Sequence, residues 1–372
     1  MESPEISIVV PTLNEAANLP TLSQRVNAAL AGRRYELLIV DDNSRDNTVE
    51  VCAEIARTIP LRLITRARPT DGLSGAVLAG MAEARGDVLV CMDADLQHPP
   101  EKLPELIAPL LSGEADFAIG SRYVKGGSIE TGWTLYRQLN SGIATLLARP
   151  FAGPVSDPMS GFFALRRGTY DDAKRLTPLG YKIALELLCK CRVQHIREIP
   201  IHFGKRTAGE SKLSFKEQFR YLEHLSRLYD FSYPRLVPLL KFLFVMGLSW
   251  IFAILYFDAL APLNRPIWLR VANAYLAVIG VTAVFHARYV RTQREFLVHP
   301  RPWQDFLAAS LCEIGVATAM AAYLSERANV HRPMEVLLLS LLAGIATRYV
   351  LRKELQLDVR GLHHEVRKEE LP

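Results

Sequence analysis

Short apolar runs alternate with amphipathic stretches along the first 232 residues of this 372-residue chain. Each run is rich in aliphatic or β-branched residues and is bounded by polar turns, a pattern that predicts buried strands. The predicted strands cover residues 6–10, where Pro11 ends the run, 37–40, 61–64, 88–92 and 117–119. Between them apolar residues recur at helical spacing, as in Leu19, Leu22, Val26 and Leu30 and across residues 73–84. This alternation predicts an α/β fold with a mostly parallel sheet flanked by helices.

A different pattern begins near residue 214 and continues to residue 232. Phe219, Leu222 and Leu225 recur at helical spacing, with Lys216 and Arg220 among them. This combination predicts an amphipathic helix and is typical of one that lies on a membrane surface. A helix packed on the preceding globular domain is the alternative that the same pattern allows.

Four long apolar segments follow, at residues 236–257, 267–285, 306–324 and 334–350. Each has the roughly 17–22 residues that an α-helix needs to cross about 30 Å of hydrocarbon. A soluble helical bundle would show polar faces, and residues 242–257 have almost none. We therefore divide the chain into four parts. They are a globular domain at 1–213, an amphipathic helical segment at 214–232, a four-span transmembrane domain at 233–351 and a polar tail at 352–372.

The distribution of basic residues predicts how the spans are oriented. The loop between the second and third spans and the start of the tail carry Arg288, Arg291, Arg294, Arg301, Arg352 and Lys353. The opposite loops carry fewer, namely Arg265, Arg270, Arg327 and Arg332. The positive-inside rule then places the globular domain and the tail in the cytoplasm, at the cell membrane. Glu313 within the third span marks either a helix–helix contact, for which an interhelical hydrogen bond suffices, or a lipid path.

Charge and cysteine content exclude two other classes of protein. The net charge of +5 lies entirely in residues 233–351, which hold 11 Lys and Arg against 6 Asp and Glu, so the rest of the chain balances. A nucleic-acid-binding protein would carry its basic excess on the globular domain. The five cysteines include no C-x-x-C pair, so neither a zinc site nor a disulfide framework is indicated.

Two carboxylates follow directly after the fourth predicted strand, in the sequence Asp93-Ala94-Asp95. Open α/β sheets bind ligands beyond the carboxyl ends of their strands. Paired hard oxygen ligands at that position suit Mg²⁺ or Mn²⁺, and such a metal would neutralise a diphosphate. Two solvated loop aspartates are the alternative for a bare D-x-D sequence.

Five motifs in a fixed order decide between these two interpretations. They are PTLNE at residues 11–15, DDNSRDNT at 41–48, DADLQHPPE at 93–101, SRY at 121–123 and SDPMSGFF at 156–163. Over residues 5–232 they resemble the family 2 glycosyltransferases of GT-A fold, and among them the dolichyl-phosphate (polyprenyl-phosphate) mannosyltransferases. The four-span domain resembles the membrane domain of prokaryotic members in hydropathy alone.

The resemblance implies a nucleotide-sugar site and a metal site, and most of their residues lie in or directly beside the first three motifs. Residues matching the nucleotide-sugar contacts of the family are Pro11, Leu13, Glu15, Val40, Asp42, Asp93, Ala94, Arg122, Arg206 and Lys212. Leu13 stands where the family often has an aromatic residue. Asp93, Asp95 and Gln97 match the metal ligands, with Asp95 also counted as catalytic. His98 is followed directly by a proline, and we interpret it as a structural residue rather than a general base.

The resemblance also implies a cradle for the acceptor phosphate, formed by Arg122, Arg137 and Ser141, which count as catalytic residues with Asp95. Arginine forks match phosphate oxygens, and they offset the repulsion between a phosphate acceptor and the donor diphosphate. Arg206 and Lys212 lie in a glycine-containing basic loop at residues 204–212 and match residues that clamp the diphosphate. A solvated basic linker is the alternative for this loop.

These expectations describe a membrane enzyme that uses Mg²⁺ or Mn²⁺ to transfer mannose from GDP-mannose to a polyprenyl (dolichyl) phosphate. An acceptor phosphate is already anionic, so no strong base is required. We expect a single in-line displacement with inversion. A UDP-sugar such as UDP-glucose is the alternative donor, and a non-catalytic lipid-carrier flippase or scaffold is the alternative class. The membrane domain is a candidate surface for a homo-oligomer.

Overall fold

The structure is a computed structural model of the chain. It describes residues 3–67, 69, 72–130, 135–173, 176–177, 179–191, 193–204, 215–233, 236–285, 302–328, 330 and 332–355. Contacts within the chain divide it into two compact units, Met1–Leu228 and Tyr229–Pro372. The first unit contains the predicted globular domain, and the second contains the apolar segments.

The first unit is built on a seven-stranded sheet with the order β3-β2-β1-β4-β7-β5-β8. Its strands are β1 (Ile6–Thr12), β2 (Tyr35–Asp41), β3 (Leu61–Thr65), β4 (Val88–Cys91), β5 (Phe117–Ser121), β7 (Phe163–Arg166) and β8 (Ile196–Pro200). Strand β7 runs antiparallel to β4 and β5, and all the other neighbouring pairs are parallel. The predicted α/β fold with a mostly parallel sheet is confirmed.

Helices connect these strands, and a second sheet lies beside the first. The α-helices of this unit are α1 (Leu19–Ala29), α2 (Thr48–Ile55), α3 (Gly72–Glu83), α4 (Leu103–Leu111), α5 (Leu135–Ala152), α6 (Arg167–Asp171), α7 (Ile183–Lys190) and α8 (Phe215–Ser232), whose last four residues belong to the second unit. Strands β6 (Ser128–Ile129) and β9 (His202–Phe203) pair in parallel as the small sheet. Residues such as Ile8, Ile39, Val90 and Ala164 form the fully buried core around the main sheet.

Pro11 does not end the first strand, which continues to Thr12 in register with Val40 and Asp41. The reason is the short length of the neighbouring strand β4. The carbonyl of Val9 accepts a hydrogen bond from the amide of Met92 at 3.2 Å. The backbone of Pro11, two residues after Val9, faces the same neighbouring strand but lies beyond the end of β4. A proline there, which lacks an amide hydrogen, therefore costs no hydrogen bond of the sheet.

The register brings the predicted functional loops to one edge of the sheet. Strands β1, β2 and β4 are parallel, and β5 runs in the same direction because both it and β4 oppose β7. Their carboxyl ends therefore lie at a common edge, where β7 begins. Three loops at this edge contain a non-glycine residue with positive φ, namely Asn14 at 56°, Asn43 at 60° and Leu96 at 63°. Tight left-handed turns of this kind end each strand sharply.

Helix α8 combines the two alternatives that its sequence left open. One face packs on the first unit, where Leu225 and Leu228 are buried and the Tyr221 hydroxyl donates to the Ala144 carbonyl at 2.7 Å. The other face exposes 71% of Phe219 and 51% of Leu222. The helix is therefore packed on the globular domain along one side, and membrane contact by the other side stays a prediction.

A buried network of charged residues anchors α8 to α7. The Glu186 carboxylate, fully buried, accepts hydrogen bonds from Lys190 Nζ at 2.7 Å and the Thr177 amide at 2.5 Å. Its second oxygen lies 3.1 Å from His224 Nε2 on α8. Burial alone raises the pKa of Glu186, but the hydrogen bond with His224 and the charges of Lys190 and His224 outweigh it and hold the pKa at about 2.

We expect the thermal stability of the protein to fall in acid because of Glu186. The folded pKa of about 2 lies below the ordinary value of 4.5. This stabilisation, about 3 kcal/mol, is therefore present above pH 4.5 and is lost as the pH falls through 4.5 toward 2. Glu186→Gln should lower the melting temperature of the full chain at pH 7 and flatten its decline between pH 5 and pH 3. Glu105→Gln on the exposed face of α4 is the control, and an equal pH profile in both variants contradicts the assignment.

The second unit contains four long helices, α9 (Leu236–Ala259), α10 (Ile267–Phe285), α11 (Pro302–Ala322) and α12 (Pro333–Leu355). A short π-helical turn, Tyr323–Arg327, extends α11. By length and composition, four segments can cross a membrane, at Leu239–Ala259, Ile267–Val284, Phe306–Arg327 and Pro333–Leu351. The four predicted apolar helices are therefore present, and the side of the membrane that each end faces stays a prediction. Glu313 of α11 accepts from Arg348 Nε of α12 at 2.5 Å, so the helix–helix contact is observed.

Candidate active site at the sheet edge

The acidic loop leaves the sheet directly after β4. Ala94 between the two aspartates is 3% exposed and belongs to the core, so it holds the loop against the domain. Asp95 is buried at 5% exposure, whereas the Asp93 side chain is 32% exposed. The amide of Gln97 donates to Asp95 Oδ1 at 3.2 Å and closes the turn around Leu96. The two carboxylates are thus held in a fixed loop at the ligand-binding edge.

The buried side chain of His98 supports this loop. Its ring is 2% exposed and stacks on Phe162, with a second contact to Phe203, each at 5.4 Å between ring centroids. The Nδ1 atom lies 3.2 Å from the amide nitrogen of Asp93, which donates to it. Burial lowers the pKa of His98 to about 4, against the opposing charge of Asp95. A neutral imidazole that accepts the Asp93 amide has a positioning role, as the sequence interpretation of His98 expected.

The donor set of this loop fits a hard divalent cation. Asp93 and Asp95 offer carboxylate oxygens, and the Gln97 amide nitrogen is engaged with the Gly204 carbonyl at 2.9 Å, which leaves the amide oxygen as its remaining acceptor. A Cβ on Gly161 would lie 3.1 and 3.3 Å from the Asp93 oxygens, so this glycine keeps space at the carboxylate. Within the described ranges, no group of three His, Cys, Asp or Glu residues is placed to hold a metal. A cation here would therefore need the amide oxygen and oxygens from substrate or water.

Arg122 lies beside the acidic loop at the end of β5. Its Nε and its terminal nitrogen each donate to the Asp157 carboxylate at 2.7 Å, and its backbone amide donates at 3.0 Å. The guanidinium carbon is 5.3 Å from the centroid of the Phe203 ring, which also contacts His98. Burial lowers the pKa of Arg122, but the hydrogen bonds and charge of Asp157 outweigh it and raise the pKa, with a further contribution from Asp93. The Arg122 charge is therefore permanent and fixed near Asp93.

The loop that carries Asp157 is itself held by several hydrogen bonds. Glu198 on β8 accepts from the amides of Ser156 and Asp157 at 3.0 and 3.2 Å. The Ser160 hydroxyl donates to the Gly120 carbonyl at 2.7 Å, and Lys182 Nζ donates to the Met159 carbonyl at 3.1 Å. These bonds connect SDPMSGFF to three separate parts of the chain. Asp157, Glu198 and Lys182 received no role from the sequence, although Asp157 lies within a motif that the sequence singled out.

The predicted nucleotide side of the site lies at the ends of β1 and β2. Asp42 accepts from Arg66 at 2.8 Å, with both side chains mostly buried, and its amide donates to the Thr12 carbonyl at 2.9 Å. The loops after β1 and β2 also hold each other, because the Asn14 amide donates to Ser44 Oγ at 2.8 Å. Arg66 is a further residue that the motifs alone did not indicate.

The other predicted nucleotide residues differ in exposure. Leu13 is 37% exposed at the sheet edge, and Glu15 accepts from the Asn18 side chain at 2.7 Å. Pro11 is buried in β1. Val40 is fully buried, and a Cβ on Gly80 of α3 would lie 2.8 Å from its Cγ2. The Val40 side chain thus packs between sheet and helix, which leaves its backbone as the part that can face a nucleotide.

The side chains of four predicted site residues lie outside the described part of the structure. Arg137 and Ser141 lie on α5, whose backbone is described there while their side chains are not. Arg206 and Lys212 lie outside the described residues. Their roles toward the acceptor phosphate and the diphosphate stay predictions.

Sequence comparisons identify relatives of the first unit. A family model described as glycosyl transferase family 2 matches residues 7–173. The dolichol-phosphate mannosyltransferase of Pyrococcus furiosus is 46% identical over 227 residues, which are 60% of this chain and 63% of that protein. Those of Mycosarcoma maydis and Saccharomyces cerevisiae are each 42% identical, with 66% and 62% of this chain matched to 85% and 88% of those proteins.

A mostly parallel sheet with an acidic loop at its carboxyl edge is the arrangement that the resemblance to sugar transferases implied. The chain belongs to glycosyl transferase family 2, the family that contains these dolichol-phosphate mannosyltransferases. It is therefore a glycosyltransferase, which argues against a purely non-catalytic flippase or scaffold. Among solved structures, glucosyl-3-phosphoglycerate synthase from Mycobacterium tuberculosis, in complex with Mn²⁺, UDP and glucosyl-3-phosphoglycerate, is 22% identical with a TM-score of 0.46. That match covers 61% of this chain and 79% of the synthase chain.

Proposed function

We propose that the chain transfers mannose from GDP-mannose to a polyprenyl phosphate at the cytoplasmic face of the cell membrane. The observation that carries this proposal is the Phe203 ring, which contacts both His98 under the acidic loop and the guanidinium of Arg122. The positive charge of Arg122 therefore lies beside the carboxylates of Asp93 and Asp95 at one edge of the sheet. Relatives named dolichol-phosphate mannosyltransferase at 42–46% identity support the acceptor and the sugar.

The metal in this proposal is Mg²⁺ or Mn²⁺, held by Asp93, Asp95 and Gln97. When bound, it neutralises charge on the donor diphosphate and so makes the nucleoside diphosphate a better leaving group. The chain's own residues fix the position of the two carboxylates. His98 Nδ1 accepts a hydrogen bond from the Asp93 backbone amide, and the Gln97 backbone amide donates to the Asp95 carboxylate. Positioning by a rigid loop is the main contribution that a protein makes to such a site.

The acceptor phosphate attacks the anomeric carbon directly in this mechanism. It is anionic at neutral pH, so the reaction does not need His98 as a base, and Nδ1 of that residue is already engaged with Asp93. Arg122 screens the repulsion between acceptor and donor phosphates. A single in-line displacement inverts the configuration at the anomeric carbon, and the nucleoside diphosphate leaves from the opposite side.

A donor panel tests this function. We expect the purified full chain, given polyprenyl phosphate and Mn²⁺, to move radiolabel into the organic phase from GDP-mannose at least about tenfold faster than from UDP-glucose or UDP-galactose. NMR of the lipid product should show an anomeric configuration opposite to that of the donor. Faster labelling from a UDP-sugar would replace the donor in the proposal, and retained configuration would replace the single displacement.

A further inference from the structure

Polar residues from all four helices of the second unit meet inside its apolar bundle. Each contributing side chain except Trp250 is more than nine-tenths buried: Ser249 and Trp250 come from α9, Tyr275 and Thr282 from α10, Ser310 and Glu313 from α11, and Arg348 from α12. Polar side chains inside an apolar bundle are expensive, and they commonly mark a binding site or a path for a polar ligand.

Some of these groups satisfy one another. Arg348 donates to Glu313 at 2.5 Å and also to the Ser310 hydroxyl, and its guanidinium lies 4.9 Å from the centroid of Phe306. Ser249 and Thr282 share a hydrogen bond of 2.8 Å. The ion pair cancels the charges of its members, so the cluster as a whole is neutral.

Three polar atoms of the same cluster are buried without a hydrogen-bond partner among the residues that the structure describes. They are Trp250 Nε1, Tyr275 Oη and Glu313 Oε1. A buried polar group without a partner carries a desolvation cost, which water or a ligand ordinarily removes. Tyr275 is held in this place by α12, because a Cβ on Gly344 would lie 2.2 Å from its hydroxyl oxygen.

A cavity connects these three residues. Trp250, Tyr275 and Glu313 line it together with Arg348 and with apolar side chains such as Met246 and Leu341. The centre of a water molecule has about 20 Å³ of space inside the cavity, and about 10–15 Å³ of such space is enough to hold one water. The unpartnered atoms therefore line a common space with room for about one water molecule or one hydroxyl group.

The chemistry of the three atoms selects the kind of ligand. The Trp250 indole can only donate, the Glu313 carboxylate can only accept, and the Tyr275 hydroxyl can do either. A hydroxyl group complements this set, because its oxygen accepts from the indole while its hydrogen is donated to the carboxylate. A phosphate dianion has no hydrogen to donate to Glu313 and would repel it.

We propose that this cavity is a binding site for a hydroxyl group, supplied either by one water molecule or by one hydroxyl of the sugar of a glycolipid headgroup. Both sources share the donor and acceptor pattern that Trp250, Tyr275 and Glu313 require. The site lies wholly within the second unit and is independent of the acidic loop at the sheet edge.

The test uses the full chain in phospholipid nanodiscs, titrated with octyl β-mannoside and separately with octyl phosphate. Tyr275→Phe removes one hydroxyl and leaves the ion pair of Glu313 with Arg348 intact. Tyr256→Phe on the exposed face of α9 is the matched control. We expect Tyr275→Phe to weaken mannoside binding about 5- to 10-fold, the size of one hydrogen bond, and the control to leave it unchanged.

The outcomes separate the two sources. If mannoside does not bind but Tyr275→Phe lowers the melting temperature relative to Tyr256→Phe, water is the occupant and the hydroxyl site holds. If Tyr275→Phe leaves the melting temperature unchanged or raises it, and mannoside binding is absent or unaffected, the Tyr275 hydroxyl binds neither water nor sugar and the proposal is wrong. Octyl phosphate that binds more tightly than octyl mannoside would also overturn it.

Discussion

Replacing Asp95 with asparagine should lower the rate of sugar transfer by about 10³-fold without unfolding the protein. Asparagine keeps the size of the side chain and an oxygen that can accept the Gln97 amide, now seen at 3.2 Å from the carboxylate. It removes the negative charge that would hold the metal. The loss should therefore appear as failed catalysis in a protein whose melting temperature and circular dichroism match the wild type.

The matched control for Asp95 is Asp116→Asn. Asp116 lies just before β5, away from the carboxyl-end loops, where it likewise accepts backbone amides, from Gln194 and His195 at 3.1 and 3.0 Å. Transfer should be unchanged in this variant. Near-normal turnover by Asp95→Asn, over a range of Mn²⁺ concentrations, would remove Asp95 from the metal site.

Arg122→Lys should lower kcat/KM for the polyprenyl phosphate by about 10²-fold. Lysine keeps the charge but cannot reproduce the fork with Asp157, whose two bonds to the Arg122 side chain are each 2.7 Å. Without the fork, the ammonium group is no longer fixed beside Phe203 and Asp93. Asp157→Asn should reproduce much of the loss, since it loosens the same guanidinium while leaving Arg122 in place.

Initial rates measured against acceptor concentration at saturating donor, and against donor concentration at saturating acceptor, check the role of Arg122. Arg197→Lys is the control, because Arg197 forms an exposed ion pair with Glu114 on the surface. An effect confined to the KM for the nucleotide sugar would assign Arg122 to the donor instead of the acceptor.

The sheet edge was predictable because its chemistry is local in sequence. Asp93 and Asp95 directly follow an apolar run, and a run of this kind predicts both the strand and the place where it ends. Strand β7 was missed because Phe163–Arg166 begins inside the SDPMSGFF motif, directly after a glycine-containing turn. Its antiparallel direction depends on pairing with β4 and β5, which no local pattern encodes.

The contacts that support the site were not predictable for a similar reason. Arg122 and Asp157 are separated by 35 positions, and Asp157 and Glu198 by 41. The motifs contain Arg122 and Asp157, but no spacing rule pairs residues across separate strands and loops. Val40 shows a different limitation of the sequence. The resemblance predicted that Val40 contacts the nucleotide sugar, whereas the fold buries its side chain against α3.

The polar cluster in the second unit was only partly visible in the sequence. Glu313 stood out because a charge within an apolar segment is unusual. Its partner Arg348 lies near the end of the last predicted span and was not singled out, since the interhelical register that joins the two residues is set by packing. Tyr275 and Trp250 carried no signal, because aromatic residues are common in apolar helices.

The central claim is that residues at this sheet edge use a divalent metal to transfer mannose to polyprenyl phosphate. The most direct measurement is the amount of mannose in the lipid product after incubation of the purified full chain with GDP-mannose and polyprenyl phosphate. It is made in chelator, after Mn²⁺ is restored, and with Asp95→Asn in place of the wild type. We expect mannolipid only from the wild type supplied with Mn²⁺, and essentially none in chelator or from the variant. Equal mannolipid with and without metal, or none from any nucleotide sugar, would contradict it.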